Sequence, residues 1–476
     1  MAEANHEMAA SGVAPDAKRQ RTLVTLPDEL ITKLHAKQQQ HVLKFYEAGA
    51  LEDSQVDQLR EQLEGLDFDF LQSIFEASTS AHANEAGGGK ETIEPLEHKG
   101  QVAALVLSGG QGTRLGFAGP KGMYNIGLPS EKSLFQLFTE RILRLQALAN
   151  DKFPSGASDG GAVIPFFVMT SPMNHAETAA YFRENEFFGL IEAQMFFFPQ
   201  GTLPCFTTEG KLMLENAHTL ATASDGNGGI YKALSTSGAL DKMQAAGVKY
   251  LHNADCANKV VWKSRPEESV GVVAKKNGKF CIIEYSEMEK AACELVNEAN
   301  GKLTFGAANI CNHFYTIDFL VDVVLPNMSL EYHVAHKKIP IADENGETHI
   351  PSTNSGIKFE SFIFDVFPLS ARMAVLSVPR ETEFAPVKNP PGALVDSPDS
   401  ARKMLSDESK AWLVAAAQQV LSADDLGGFV SEKLEIASVI EISPLVSYTG
   451  EGLTSHVAAL HESSAPQAIR LESTDK

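Results

Sequence analysis

The sequence predicts an α/β protein with a central, doubly wound, mostly parallel sheet covered by helices on both faces. Three observations carry this expectation. Continuous apolar runs at 102–107, 163–170, 193–198, 248–251, 270–274 and 280–283 read as buried strands. Segments at helical spacing lie between several of them: 133–149, where Leu134, Phe135, Leu137, Phe138, Ile142, Leu143 and Leu145 recur, then 174–185 and 229–246. The first run leads directly into Gly109, Gly110 and Gly112, and such sheets bind ligands at the carboxyl ends of their strands.

Taken in order, residues 1–25 read as a tail. A helix is expected from Pro27, with Asp28 and Glu29 favourable to its dipole and Leu30, Ile31 and Leu34 on one face. A second follows over 54–63, and Phe68, Phe70, Leu71, Ile74 and Phe75 add apolar anchors. The polar stretch 78–90, with Gly87-Gly88-Gly89, reads as a linker. The expected organisation is a helical N-terminal region at 1–98, a central α/β domain at 99–387 and a small α+β C-terminal domain at 388–476. In the last, a helix is expected over 399–421 after Pro390, Pro391 and Pro398, and short strands over 434–442 and 445–448.

Composition bounds the chemistry. The 476 residues are 43% hydrophobic, which is ordinary globular usage. Against 61 Asp and Glu stand 40 Lys and Arg, a net charge of −21. An envelope this negative argues against nucleic-acid and anionic-membrane partners, so any phosphate must be met by a local group of cations. The five cysteines show no CxxC spacing, residues 1–13 lack the apolar core of a secretion signal, and no apolar run reaches membrane-spanning length. A reducing cytoplasm is the expected compartment.

The densest chemical signal is the stretch from Leu107 to Gly116 with Pro120-Lys121 behind it. Absent side chains at Gly109, Gly110 and Gly112 let main-chain N–H groups, with Thr113 beside them, approach phosphate oxygens. Arg114 and Lys121 supply full positive charge. The spacing Gly110-x-Gly112-x-x-x-Gly116 is one residue too long for a dinucleotide fingerprint, and no stretch satisfies the P-loop pattern.

Gly110-x-Gly112-Thr113-Arg114-Leu115 followed by Pro120-Lys121 resembles the signature of sugar-nucleotide pyrophosphorylases. The continuation to Ser130, with Gln200-Gly201-x-Leu203-Pro204, Asp225-Gly226-Asn227-Gly228-Gly229, Glu284-Tyr285-Ser286-Glu287, Asn309-Ile310-x-Asn312-His313-Phe314, Glu383-Phe384-x-Pro386-x-Lys388-Asn389 and the run from Ser443 to Leu453, is similar to eukaryotic UDP-N-acetylglucosamine pyrophosphorylases. The resemblance implies a Rossmann-like core of nucleotide-diphospho-sugar transferase type. It implies that UTP and N-acetylglucosamine 1-phosphate become UDP-N-acetylglucosamine and pyrophosphate by in-line attack on the α-phosphate. It assigns Gln200 and Gly226 to the nucleotide, Asn227, Glu284, Tyr285 and Asn309 to the sugar, and Phe362 and Phe364 to a wall beside the acetyl methyl. Gly271 would allow close approach. Lys388 is implied to reach the phosphates, and Asp255 to ligate Mg²⁺, with Mn²⁺ as an alternative.

From the residues alone, Asp255 is equally a turn or cap residue, Phe362 and Phe364 alternate on one strand face and read first as core packing, and His313 is a structural histidine. Two other functions stay open here. One is a UTP–glucose-1-phosphate uridylyltransferase or broad UDP-sugar pyrophosphorylase. The other is a catalytically silent binding protein on the same fold.

Overall fold

The computed structural model describes residues 24–78, 101–153, 161–328, 332–464 and 467–473. Most of the expected tail and linker lies outside them. By backbone proximity the chain divides into two compact units.

The first unit joins Met1–Ser73 to two stretches from mid-chain, Pro204–Thr222 and His336–Ile357. Its helices Asp28–Ala36 and Asp53–Glu64 bury Leu30, Leu34, Val56, Leu59 and Leu63, one apolar stripe each. Side-chain amides hold the first of these, Pro204–Thr222. Gln39 donates to the Gly210 carbonyl at 3.0 Å and accepts from the Leu212 N–H at 2.8 Å. Gln62 accepts from the Leu220 N–H at 2.9 Å. This division differs from the consecutive regions 1–98, 99–387 and 388–476. A glutamine that reads as solvent-facing in sequence here satisfies main chain some 170 residues away.

The second unit holds the rest. Strands β1 (Ala104–Leu107), β2 (Phe166–Thr170) and β3 (Met195–Pro199) form a parallel sheet in that order. Every residue of β2 is buried. Phe166 and Val168 pack with Phe135, Ile142 and Phe182 on one face, while Phe167 and Met169 pack with Tyr231, Leu234 and Met243 on the other. This is the double coverage that a continuous apolar run requires.

The remaining strands depart from the expected parallel order. They are β4 (Tyr250–Trp262), β5 (Val272–Lys276), β6 (Lys279–Ile283), β7 (Ala307–Thr316) and β8 (Met373–Ser377). Their sheet runs β6-β5-β7-β4-β8, antiparallel at every pair except β4 with β8. One parallel bridge, Val102 with Tyr250, joins it to β1. The sheet is therefore mixed. For the β5–β6 pair the reason is local: Asn277 and Gly278 both take positive φ, 53° and 78°, and close a two-residue hairpin. Asn-Gly is the strongest short hairpin signal a sequence carries, and it forces antiparallel pairing.

The C-terminal stretch has its own core, in which Leu413, Ala417, Phe429, Ile440, Val457 and Ile469 meet. The helix Pro398–Val420 starts at Ser397, whose Oγ accepts from the Ser400 N–H at 3.2 Å. Only Ile440–Ile442 of the expected strand 434–442 is a strand, paired in parallel with Ile469–Leu471. Residues 445–448, expected as a strand, form a turn, because the Glu451 carboxylate gathers the N–H groups of Tyr448 and Thr449. Among the described residues no helix is long and apolar enough to cross a membrane.

A buried ion network ties this stretch to the helix Leu134–Lys152. The Lys132 ammonium donates to Glu140 at 2.9 Å, Glu472 at 2.9 Å and the Ser443 hydroxyl at 3.2 Å. Lys132 and Glu140 are both buried. Removing the lysine strands a buried carboxylate, so Lys132→Met should lose about 3–5 kcal/mol of stability. Urea unfolding followed by circular dichroism checks this, and an unchanged midpoint would contradict the network's role.

Candidate active site

The loop after β1 closes on itself. The Gly112 N–H donates to the Gly119 carbonyl at 2.9 Å and the Lys121 N–H to the Gly110 carbonyl at 3.1 Å. Its glycines serve different ends. A Cβ on Gly109 would stand 2.6 Å from the Gln200 Oε1, and one on Gly112 would stand 2.8 Å from the Phe117 ring. A Cβ on Gly110 would meet nothing within 4 Å. Gly110 therefore lines open space, while the other two make room for protein. Thr113 and Arg114 are exposed on the same loop.

Three cations converge here. The Lys121 ammonium donates to the Val387 carbonyl at 2.5 Å, which seats the neighbouring Lys388 beside the loop. Burial pulls the Lys121 pKa below the usual lysine value, and the charges of Lys388 and Arg114 pull it further. Lys388 stays exposed, with the Asp396 carboxylate 3.8 Å away. Like charges held this close favour an anionic ligand.

Gln200, placed by β3, is buried, and its N–H donates to the Thr170 carbonyl at 2.9 Å. Nearby, the 225–229 turn lies against residues 360–362. Gly226 has φ +87°, and a Cβ there would stand 2.2 Å from the Ser361 carbonyl oxygen. The Asn227 Oδ1 accepts from the Ile363 N–H at 2.9 Å, so this amide also holds the turn that carries Phe362 and Phe364. Asp225 is buried between Gly201 and Gly229, and its Oδ1 has no hydrogen-bond partner among the described residues. Burial lifts its pKa from 3.8 to about 6.

The residues expected to meet the sugar gather mainly near β6 and β7. A Cβ on Gly271 would stand 2.5 Å from the Glu284 Oε1, so the glycine admits that carboxylate. Burial raises the Glu284 pKa; Glu287 and Asp365 raise it further, against His333 and Lys388. The Asn309 Oδ1 accepts from Asn258 Nδ2 at 3.1 Å and from the Cys311 N–H at 3.0 Å. This occurs at a bulge where Cys311 takes φ +55°. Tyr285 is 49% exposed at the rim.

Phe362 and Phe364 stack with centroids 5.1 Å apart, but they follow the strand Gly356–Glu360 in a turn instead of alternating along it. Phe364 is core, whereas Phe362 is only partly buried. His313 is a structural histidine. Burial drops its pKa to about 4, and its ring nitrogens meet Asn309 and Tyr315.

Asp255 lies on β4, but its side chain is outside the described residues. Among those described, no group of three His, Cys, Asp or Glu residues is placed to hold a metal. Sequence reasoning overlooked Asp225, Glu287, His333 and Asp365. Two of these sit inside motifs already quoted, beside residues singled out, and an acid at the head of the glycine-rich run 226–229 was the available signal for Asp225.

A glycine loop at the end of a parallel strand, facing three converged cations, defines an α/β protein that handles phosphate esters. The family described as UTP–glucose-1-phosphate uridylyltransferase matches residues 66–258 and 252–422. A Xenopus tropicalis UDP-N-acetylhexosamine pyrophosphorylase-like protein 1 is 37% identical over 92% of this chain and 88% of its own. The Saccharomyces cerevisiae UDP-N-acetylglucosamine pyrophosphorylase is 38% identical over 75% of this chain and 76% of its own. The solved uridine diphosphate N-acetylglucosamine pyrophosphorylase of Trypanosoma brucei, in complex with an inhibitor, superposes with a TM-score of 0.78. It is 29% identical and covers 94% of this chain and 98% of its own. The chain belongs to the UDP-N-acetylglucosamine/hexosamine pyrophosphorylase family.

Two outcomes follow from the site. Gly110→Ala should keep the wild-type unfolding midpoint yet lose most substrate affinity, whereas Gly226→Ala should fail in both, by about 2 kcal/mol or more of stability. Calorimetric binding and thermal unfolding of the two variants check the contrast.

Asp225 generates a pH dependence. Its folded pKa is raised, so the folded state binds the extra proton between pH 3.8 and about 6, and stability falls as pH rises through that window. The stability advantage of Asp225→Asn over wild type should grow across it and then level off. A difference independent of pH in urea titrations would contradict the shift.

Proposed function

We propose that this chain transfers a uridylyl group from UTP to N-acetylglucosamine 1-phosphate, giving UDP-N-acetylglucosamine and pyrophosphate. The observation that carries the reading is the convergence of Arg114, Lys121 and Lys388 at the open face of the Gly110 loop. An oxygen of the sugar phosphate attacks the α-phosphorus in line. One P–O bond forms, the bond to the β-phosphate bridging oxygen breaks, and pyrophosphate leaves with the electron pair. The attacking phosphate is already ionised near neutral pH, so the protein's task is positioning and charge neutralisation rather than proton transfer.

Lys121, anchored on Val387, and Lys388 beside it stand ready to meet the charge that gathers on the leaving group. Main-chain N–H groups of the loop, with Thr113 and Arg114, cradle the triphosphate. Gln200 and Gly226 read the uracil edge. Glu284, Tyr285, Asn227 and Asn309 orient the sugar, and the partly buried face of Phe362 gives the acetyl methyl an apolar neighbour.

The donor set is compatible with Mg²⁺, for which Mn²⁺ is the substitute. Asp225 leaves one buried carboxylate oxygen unpartnered among the described residues, and Mg²⁺ takes one or two carboxylates with phosphate and water completing its shell. Asp255 would hold the ion together with the substrate phosphates. When bound, it supplies Lewis-acid neutralisation at those phosphates. The odd number of cysteines and the absence of CxxC spacing support a reducing cytoplasm as the compartment.

The matched family's description names glucose 1-phosphate, which keeps that sugar as a second reading. One assay separates them: purified protein, UTP and each sugar 1-phosphate, with and without Mg²⁺, followed by pyrophosphate release. N-acetylglucosamine 1-phosphate should win by about 1–3 kcal/mol in kcat/KM, because glucose 1-phosphate lacks the amide and would leave polar groups of the site unpaired. Lys121→Ala should lower kcat by about 10²–10³ with the fold intact. A larger kcat/KM for glucose 1-phosphate overturns the sugar assignment, and wild-type turnover in Lys121→Ala overturns the lysine's role.

A further inference from the structure

Three carboxylates crowd the sugar side. Glu284 and Glu287 come from the turn after β6, and Asp365 from the turn that carries Phe362 and Phe364. An anionic sugar phosphate must approach this corner. Lys388 offsets Glu284, and Lys276 acts on Glu287 from β5. The Cys311 thiol on β7 is held neutral by burial, which raises its pKa.

The remaining cation is His333. Its Nε2 lies 3.3 Å from Asp365 Oδ1 and its Nδ1 lies 3.6 Å from Glu287 Oε1. A neutral imidazole has one N–H and would turn a lone pair toward one of these carboxylates, so only the imidazolium suits both. The ring also lies over Phe362, with centroids 4.6 Å apart and planes 34° apart. Asp365 in turn accepts the Phe362 N–H at 2.6 Å. His333 thus joins the two turns that carry Glu284, Tyr285 and Phe362.

We propose that His333 is a positioning residue for the sugar phosphate: its imidazolium, clamped between Glu287 and Asp365, fixes the Phe362 ring and neutralises a corner that would otherwise repel an anion. The inference rests on the uridylyltransferase reading above. Burial alone disfavours the imidazolium, yet the hydrogen bond to Asp365 and the ion pair with Glu287 outweigh it and lift the pKa to about 10, so the charge persists at neutral pH.

Steady-state kinetics on the full chain test it. His333→Gln should raise KM for N-acetylglucosamine 1-phosphate about tenfold while KM for UTP moves less than about twofold. Adding Glu287→Gln to that variant should recover about threefold of the loss, because one stranded carboxylate is gone. Glu287→Gln alone changes a half-exposed residue and leaves His333 with one partner. Its imidazolium pKa then falls, so KM for the sugar phosphate should climb from about pH 7 to 9, where wild type stays flat.

Equal rises in both KM values without recovery, or a flat profile in Glu287→Gln, would overturn the proposal. If wild type releases no pyrophosphate from any sugar phosphate, the functional reading fails separately. Calorimetry then still decides: His333→Gln should bind UDP-N-acetylglucosamine about tenfold more weakly with UDP affinity unchanged, and equal affinities overturn it.

Discussion

The bond from the Lys121 ammonium to the Val387 carbonyl holds two distant parts of the chain in one site. Lys121 belongs to the loop that follows the first strand, while Val387 and Lys388 come 266 and more residues later. Without this seat, Lys388 would be a loop lysine far from the other two cations. With it, three positive groups face one space, and the resulting repulsion is felt as the lowered pKa of Lys121. An acidic protein carries here a small region of opposite sign, and an anionic substrate relieves it.

Such a cluster needs a rigid mount. The continuously buried β2, packed on both faces, fixes the end of β1 through the Ser108 N–H to the Met169 carbonyl. On the far side, the Lys132 network and the Arg144–Glu451 ion pair tie the C-terminal core to the helix that begins at Leu134. Burial works against the Glu451 carboxylate, but the Thr449 and Tyr448 N–H groups and Arg144 bring its pKa down to about 2. The sugar side is built on the opposite principle. Its three carboxylates are offset by cations brought from other elements, and two turns are joined by a histidine that answers two acids at once.

Much of the architecture was legible because it rests on local rules. The apolar runs became β1, β2 and β3, and the helices at 28–36, 53–64, 134–152 and 398–420 lie within a few residues of the ranges their periodicity implies. The mixed order of the larger sheet was not read: Asn277-Gly278 signals one antiparallel pair, but apolar runs alone do not distinguish parallel from antiparallel strands. The turn at 445–448 was not legible, since an apolar run looks the same whether it pairs with a strand or wraps a carboxylate.

What the sequence determined by itself was the chemistry on offer: a phosphate loop, its nearby cations and the motif set of a family, all fixed by residue type and short spacing. The tertiary structure alone decided which groups act on one another. Gly110 borders open space while Gly109 and Gly112 make way for side chains, a distinction invisible in three identical residues. His313 is buried and neutral, whereas His333 stands between two acids and carries a charge. Both are histidines in ordinary strand-like surroundings. Their pKa values separate because desolvation and charge pairing depend on what lies within a few ångströms in space, and chain order does not encode that distance.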